Sequence, residues 1–282
     1  MLTVAIVRPT MATLTRKQWR GQENIPRSGG MILAANHLSM TDPLTISHYL
    51  YVGGGRWPTF MAKDGVFRIP VLGRAIRALG QIPVYRGRND AGVALVEAEK
   101  ALREDEAAVI VYPEGTCTRD PDLWPMVAKT GVARLALRCG VPVVPLAHWG
   151  EQHILPYGTK RLRLLPRKKV QLVAGPPVDL SAYADQPLTS ATLEAATAEV
   201  MRAITELQAG IRGEEPPAVP YDPAEARRQR FAGADTQQLG SEQPLGEEQT
   251  SEPEQGEKPE SASAADTPSA SGREPDTGDG RV

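Results

Sequence analysis

The run Ala-Ala-Val-Ile-Val-Tyr from Ala107 to Tyr112 is the most apolar of the chain. A short continuous run of this kind reads as a strand buried on both faces, as in a parallel sheet. Met31 to Ala35 and Val141 to Ala147 are runs of the same type. Pro58 to Ala62, Gln81 to Tyr85 and Val170 to Ala174 read as further strands. Between them lie stretches of helical period. Leu72, Ala75, Ile76 and Leu79 mark one apolar face; Ala91, Leu95, Ala98 and Leu102 mark the next. Ala128, Val132, Leu135 and Cys139 follow, then Leu193, Ala196, Val200 and Ile204. Lys63 to Pro70 reads as a loop. Strands that alternate with helices predict an α/β fold: a single domain with a mostly parallel central sheet flanked by helices.

Charge divides the chain. Residues 233–282 hold twelve acidic and three basic side chains, a net of −9, and hardly any apolar ones. The whole chain is −2, so residues 1–232 carry +7. The acidic stretch cannot bury enough apolar surface to offset its ordering entropy, and it is expected to be a disordered tail. The expected organisation is an N-terminal amphipathic, basic segment at 1–20, a domain at 21–212, a linker at 213–232 and the tail at 233–282. Trp19 among Arg16, Lys17 and Arg20 fits either an interfacial anchor or an ordinary first helix. The basic body predicts an anionic partner. No run of about eighteen apolar residues is present to span a bilayer, and the N-terminus is not expected to be a secretory signal. Cys117 and Cys139, with no Cys-x-x-Cys, give neither a disulfide framework nor a zinc signature, as expected of a cytoplasmic protein.

Parallel strands place their carboxyl ends at one edge of the sheet, where ligands bind. Asn36 and His37 follow the strand at Met31, and Asp42 stands before Pro43. Asp42 reads as a helix N-cap with Pro43 at the first helical position. A carboxylate five residues from a histidine across such a turn can hold the ring in one tautomer and stabilise its cation, as a general base requires. Arg86 and Glu114 also follow strands, so the topology brings both toward His37.

Four blocks then occur in order: Asn36 to Asp42 (Asn-His-Leu-Ser-Met-Thr-Asp), Gly80 to Arg86, Tyr112 to Thr116 (Tyr-Pro-Glu-Gly-Thr) and Val141 to Pro145. Together they resemble the glycerolipid acyltransferase family, in particular its 1-acyl-glycerol-3-phosphate acyltransferases. Two positions depart from the family pattern. Cys117 stands where an Arg is usual, with Arg119 two residues on, and Pro83 stands where an aromatic is common. The resemblance implies a glycerol-3-phosphate acyltransferase-like fold, with His37 as the base that deprotonates the acceptor hydroxyl and Asp42 as its orienting carboxylate. It implies acceptor binding by Arg86 and Glu114; Gly115, Thr116, Arg119 and Lys63 complete the expected substrate-binding set, and backbone donors near Gly115 are expected at the oxyanion. No metal, no cofactor and no covalent acyl-enzyme are expected.

The expected reaction carries a fatty acyl chain from acyl-CoA or acyl carrier protein to the sn-2 hydroxyl of 1-acyl-glycerol-3-phosphate, giving phosphatidic acid. Glycerol-3-phosphate or another lysophospholipid is the alternative acceptor, and a non-catalytic module docking on anionic membranes is the alternative class. The expected partners are a lysophospholipid, an acyl thioester, acyl carrier protein as a donor, and an anionic membrane surface, with the protein peripheral on the cytoplasmic side of the cell membrane. Nucleic acid is not expected, because the basic run Lys160 to Lys169 lacks interleaved aromatics; it reads as a solvated or membrane-facing surface. Ser39 has no nucleophile elbow around it and reads as a turn residue. Cys117 reads as an inert loop thiol and His48 as a surface or packing residue. His148 and His153 form a candidate metal pair without a third ligand.

Overall fold

Strand β2 (Met31–Ala35) is the centre of the molecule, and all five of its residues are buried. Its side chains alternate between two cores. Met31, Leu33 and Ala35 pack with Ile46, Tyr49 and Leu50 on one face. Ile32 and Ala34 pack with Ala98, Leu102, Val132, Leu135, Val200 and Ile204 on the other. A strand covered on both sides has no place for a polar residue, which is why the sequence reads as an unbroken apolar run.

The computed structural model describes residues 13, 15–84 and 90–229. Its sheet also contains β1 (Thr15–Arg20), β3 (Pro58–Lys63), β4 (Ile82–Val84), β5 (Ala108–Val111), β6 (Val143–Trp149) and β7 (Lys168–Ala174). The seven strands are ordered β1-β7-β6-β2-β5-β3-β4. Strands β2 to β6 run parallel to one another, β7 is antiparallel to β6, and β1 is parallel to β7. Helix α1 (Asp42–Val52) covers the first face. Helices α4 (Asp90–Arg103), α5 (Gly131–Cys139) and α6 (Ser190–Arg212) cover the second. Two short helices, α2 (Asp64–Phe67) and α3 (Leu72–Ala78), join β3 to β4. This is the single α/β domain with a mostly parallel sheet that the alternating pattern predicts.

Three local readings change. Of the segment 1–20, residues 15–20 form the edge strand β1 and not a helix, and residues 1–12 and 14 lie outside the described residues. Trp19 packs edge-on against His48 and Tyr49, with ring centroids 4.9 and 5.5 Å away, so its indole belongs to the body of the domain. The stretch from Lys63, read as a loop, closes β3 and forms α2. Asp42 is the first residue of α1 and not its N-cap, which is Thr41 without a side-chain cap bond. Thr189 does cap α6, accepting from the Thr192 amide at 3.2 Å, and Gly213 ends it at φ 68°, a left-handed position suited to glycine. Among the described residues no helix is long and apolar enough to cross a membrane.

Candidate active site

Where β2 ends, the chain turns through Asn36 to Thr41 and enters α1. Asp42 holds this turn together. Its Oδ2 accepts from the amides of Leu38 at 2.7 Å and Ser39 at 2.8 Å, and lies 2.8 Å from His37 Nδ1. Ser39 Oγ donates to the Leu155 carbonyl at 2.8 Å, which makes it the turn residue that the sequence suggests. Asp42 is fully buried, while the His37 side chain keeps 12% of its surface open. The His37 ring stacks on Tyr112 at 4.1 Å between centroids and 18° between planes. One ring nitrogen is therefore tied to a buried carboxylate, the plane is fixed by an aromatic neighbour, and Nε2 points away from Asp42.

Nε2 meets the thiol of Cys117, with Sγ at 3.4 Å. The inert loop thiol of the sequence is thus in direct contact with the base. Burial pushes the thiol up to about 12, and the nearby Asp42 and Glu114 add to this. Thr118 completes the junction, its amide donating to the His37 carbonyl at 2.7 Å.

Glu114 does not face the cleft. Its Oε1 accepts from the His37 amide at 3.1 Å and its Oε2 from the Met126 amide at 3.0 Å. Burial raises its carboxyl to about 8, against the lowering effect of those two amides. The acceptor-binding role implied by the family pattern does not match this position: Glu114 ties the base-bearing turn to the loop after β5. Gly115, at φ 73°, donates its amide to the Tyr112 carbonyl at 2.9 Å, so that donor is already used and is not the expected oxyanion contact. A side chain at 115 would come within 3.2 Å of Lys129 Nζ, which places an exposed cation over the glycine. Arg119 is exposed, and its amide contacts Met126 Sδ at 3.0 Å. Thr116 is half-buried in the same turn. Lys63 ends β3 at the same sheet edge; its side chain lies outside the described residues, as does the whole of Arg86.

Behind the dyad lies a buried polar layer that the sequence reading missed. The Asn36 side chain clamps the His148 backbone: Nδ2 donates to the His148 carbonyl at 3.1 Å, and the His148 amide donates to Asn36 Oδ1 at 2.9 Å. His148 Nε2 lies 2.6 Å from the Asn36 carbonyl, which can only accept, so Nε2 carries a proton. His148 pairs with Glu151 and not with His153, which is exposed. Asp42, His148 and Glu151 are close enough in space to suggest metal chemistry. With Nε2 donating and Asp42 Oδ2 already accepting three contacts, the set reads as an ion-paired cluster. The only hint in the sequence was polar residues just after the β6 apolar run.

The chain is also similar to known proteins in sequence and in fold. Residues 16–149 match a protein-family profile described as Acyltransferase. A chloroplastic 1-acyl-sn-glycerol-3-phosphate acyltransferase of Brassica napus is 33% identical over 142 residues, 50% of this chain and 39% of the relative. A 1-acyl-sn-glycerol-3-phosphate acyltransferase of Borreliella burgdorferi is 29% identical over 174 residues, 60% of this chain and 66% of the relative. The crystal structure of the 1-acyl-sn-glycerophosphate acyltransferase of Thermotoga maritima superposes with a TM-score of 0.52 at 27% identity, covering 72% of this chain and 80% of that one. The chain thus spans well under half of the plant relative and just under two thirds of the Borreliella one. Fold and site define an α/β domain with a buried carboxylate–histidine pair at the carboxyl end of its central strand. Over residues 16–149 the chain is similar to the acyltransferase family.

Proposed function

We propose that this protein transfers a fatty acyl chain from an acyl thioester to the sn-2 hydroxyl of 1-acyl-glycerol-3-phosphate, giving phosphatidic acid. The reading rests on one observation: His37 bonds buried Asp42 through Nδ1, and on its partly open ring Nε2 is left with only the neutral Cys117 thiol, at 3.4 Å. In the proposed step Nε2 takes the proton of the acceptor hydroxyl as its oxygen attacks the thioester carbonyl. The tetrahedral adduct collapses, and the thiolate leaves with the proton returned by His37. Asp42 stabilises the imidazolium in between. Relatives named 1-acyl-sn-glycerol-3-phosphate acyltransferases support this acceptor. Acyl-CoA and acyl carrier protein are both donors of the required chemistry, and no further cofactor enters the scheme.

We further propose that the domain works at a cytoplasmic membrane surface. Residues 157–169 contain six Lys and Arg and no acidic residue, with Leu162 and Leu165 exposed among them. Such a segment suits an anionic bilayer. Purified protein, acyl-CoA and 1-acyl-glycerol-3-phosphate, with released thiol followed by a colorimetric reagent, test the reaction. Release that depends on the acceptor supports it. Binding to anionic vesicles with no thiol release favours a non-catalytic membrane module.

A further inference from the structure

His148 and Glu151 are both fully buried, and neither has a part in the reaction as written. Their side chains approach at 3.1 Å, Nδ1 to Oε2. The opposite ring nitrogen donates to the Asn36 carbonyl and stands 3.6 Å from Asp42 Oδ2. The Thr45 hydroxyl lies 2.7 Å from Glu151 Oε1 and 3.0 Å from the Asp42 carbonyl, its one proton shared between the two acceptors. The pair is thus fixed to both ends of the turn that carries the dyad. We propose that His148 and Glu151 are positioning residues: a buried ion pair that is neutral as a unit and sets the charge felt by Asp42 and His37.

The argument is one of balance. Burial alone would push His148 down, but Glu151 and then Asp42 outweigh it and hold the ring up at about 9. It is therefore an imidazolium at neutral pH. Its charge cancels that of Glu151, leaving Asp42 to face His37 alone. The other titratable groups around it are Glu114, Tyr112 and Cys117, all on the loop after β5 and all held toward their neutral forms by burial. Removing His148 alone leaves two buried carboxylates with no cation between them. An uncompensated buried charge is far more costly than a missing pair. The added negative charge also favours the protonated, inactive form of His37.

The inference rests on His37 being the base of the proposed acyl transfer, and a double-variant cycle tests it. In His148→Gln the acid limb of the kcat/KM profile is expected to move up by about one pH unit, with about a tenfold loss below it. The melting temperature is expected to fall as well. In His148→Gln with Glu151→Gln, both charges are gone, and the limb and melting temperature are expected to return toward wild type. The same shift is expected in the His37 imidazole resonances followed by NMR without substrate. An inactive wild type therefore overturns only the proposed reaction. An unmoved limb and unmoved resonances in His148→Gln overturn the charge role. So does a double variant as impaired as the single one, or a stoichiometric metal in the purified protein that both variants lose.

Discussion

The amide of His37 donates to Glu114 Oε1 at 3.1 Å, so the acidic residue of the Pro-Glu-Gly-Thr block holds the base by its backbone. The other carboxylate oxygen reaches Met126. A residue that gripped the acceptor would change its Michaelis constant when removed. A residue that seats the base changes turnover and stability. Glu114→Ala is expected to lower the melting temperature and reduce kcat, with the Michaelis constant for the acceptor nearly unchanged. A large rise in that constant with kcat retained would restore the acceptor-binding role.

Glu114 also gives stability a pH dependence of known sign. Burial raises its carboxyl from 4.5 to about 8. Between these values the unfolded chain loses the proton and the folded one keeps it. The contribution of Glu114 is therefore complete below pH 4.5 and is lost as pH rises through 8. Glu114→Gln keeps a neutral side chain at every pH. The melting temperature of wild type minus that of Glu114→Gln is expected to fall steadily between pH 4.5 and 8. A flat difference would show that the carboxyl is ionised throughout.

The dyad gives an unequal pair of variants. His37→Ala removes the base and is expected to cut turnover by about 10²–10⁴-fold with the fold intact. Asp42 does more than orient the ring, because its Oδ2 also accepts two buried amides. Asp42→Asn can keep that oxygen and is expected to lose activity with a small drop in stability. Asp42→Ala leaves the Leu38 and Ser39 amides unsatisfied, at about 1–3 kcal/mol each. Circular dichroism melts beside rate measurements separate the two effects, and equal stability of the Asn and Ala variants would contradict the bonding.

Cys117 stands where the acceptor hydroxyl has to come, 3.4 Å from His37 Nε2. A thiol pushed up to about 12 stays neutral at physiological pH and is a weak nucleophile. Cys117→Ala is expected to turn over within a few-fold of wild type. Intact mass after acyl-CoA alone is expected to show no acyl adduct. A hydroxylamine-labile adduct that vanishes in an inactive Cys117→Ala would replace direct attack with a covalent route.

The sheet, its helices and the dyad were legible because they depend on local pattern: unbroken apolar runs, helical period, and a His and an Asp across one turn. What stayed hidden depends on long-range pairing. Nothing near Glu114 in the sequence says that its partners are the amides of residues 37 and 126. His148 and Asn36 are 112 positions apart and meet only because β6 lies beside β2. Trp19 among basic residues fitted either an anchor or a first helix, and only the pairing of β1 with β7 shows a strand whose indole turns onto His48 and Tyr49.

The acceptor phosphate gives the last test. Lys129 Nζ sits over Gly115, and Arg119 is exposed four residues past that glycine. Both are on the loop that Glu114 and Thr118 tie to His37. Under the proposed reaction, a phosphate held there is expected to leave a glycerol hydroxyl for Nε2. An arginine can fix such a group by two parallel hydrogen bonds, whereas a lysine supplies a point charge. Arg119→Ala is expected to raise the Michaelis constant for 1-acyl-glycerol-3-phosphate well above any change for acyl-CoA, with turnover falling because the hydroxyl is misplaced. Lys129→Ala is expected to act mainly on the Michaelis constant. Arg86→Ala, at the end of the second family block, is expected to resemble Arg119→Ala. Each variant is compared on the phosphorylated acceptor and on an uncharged monoacylglycerol. If wild type shows no preference for the phosphorylated acceptor, the phosphate site fails, and a different lipid acceptor takes its place.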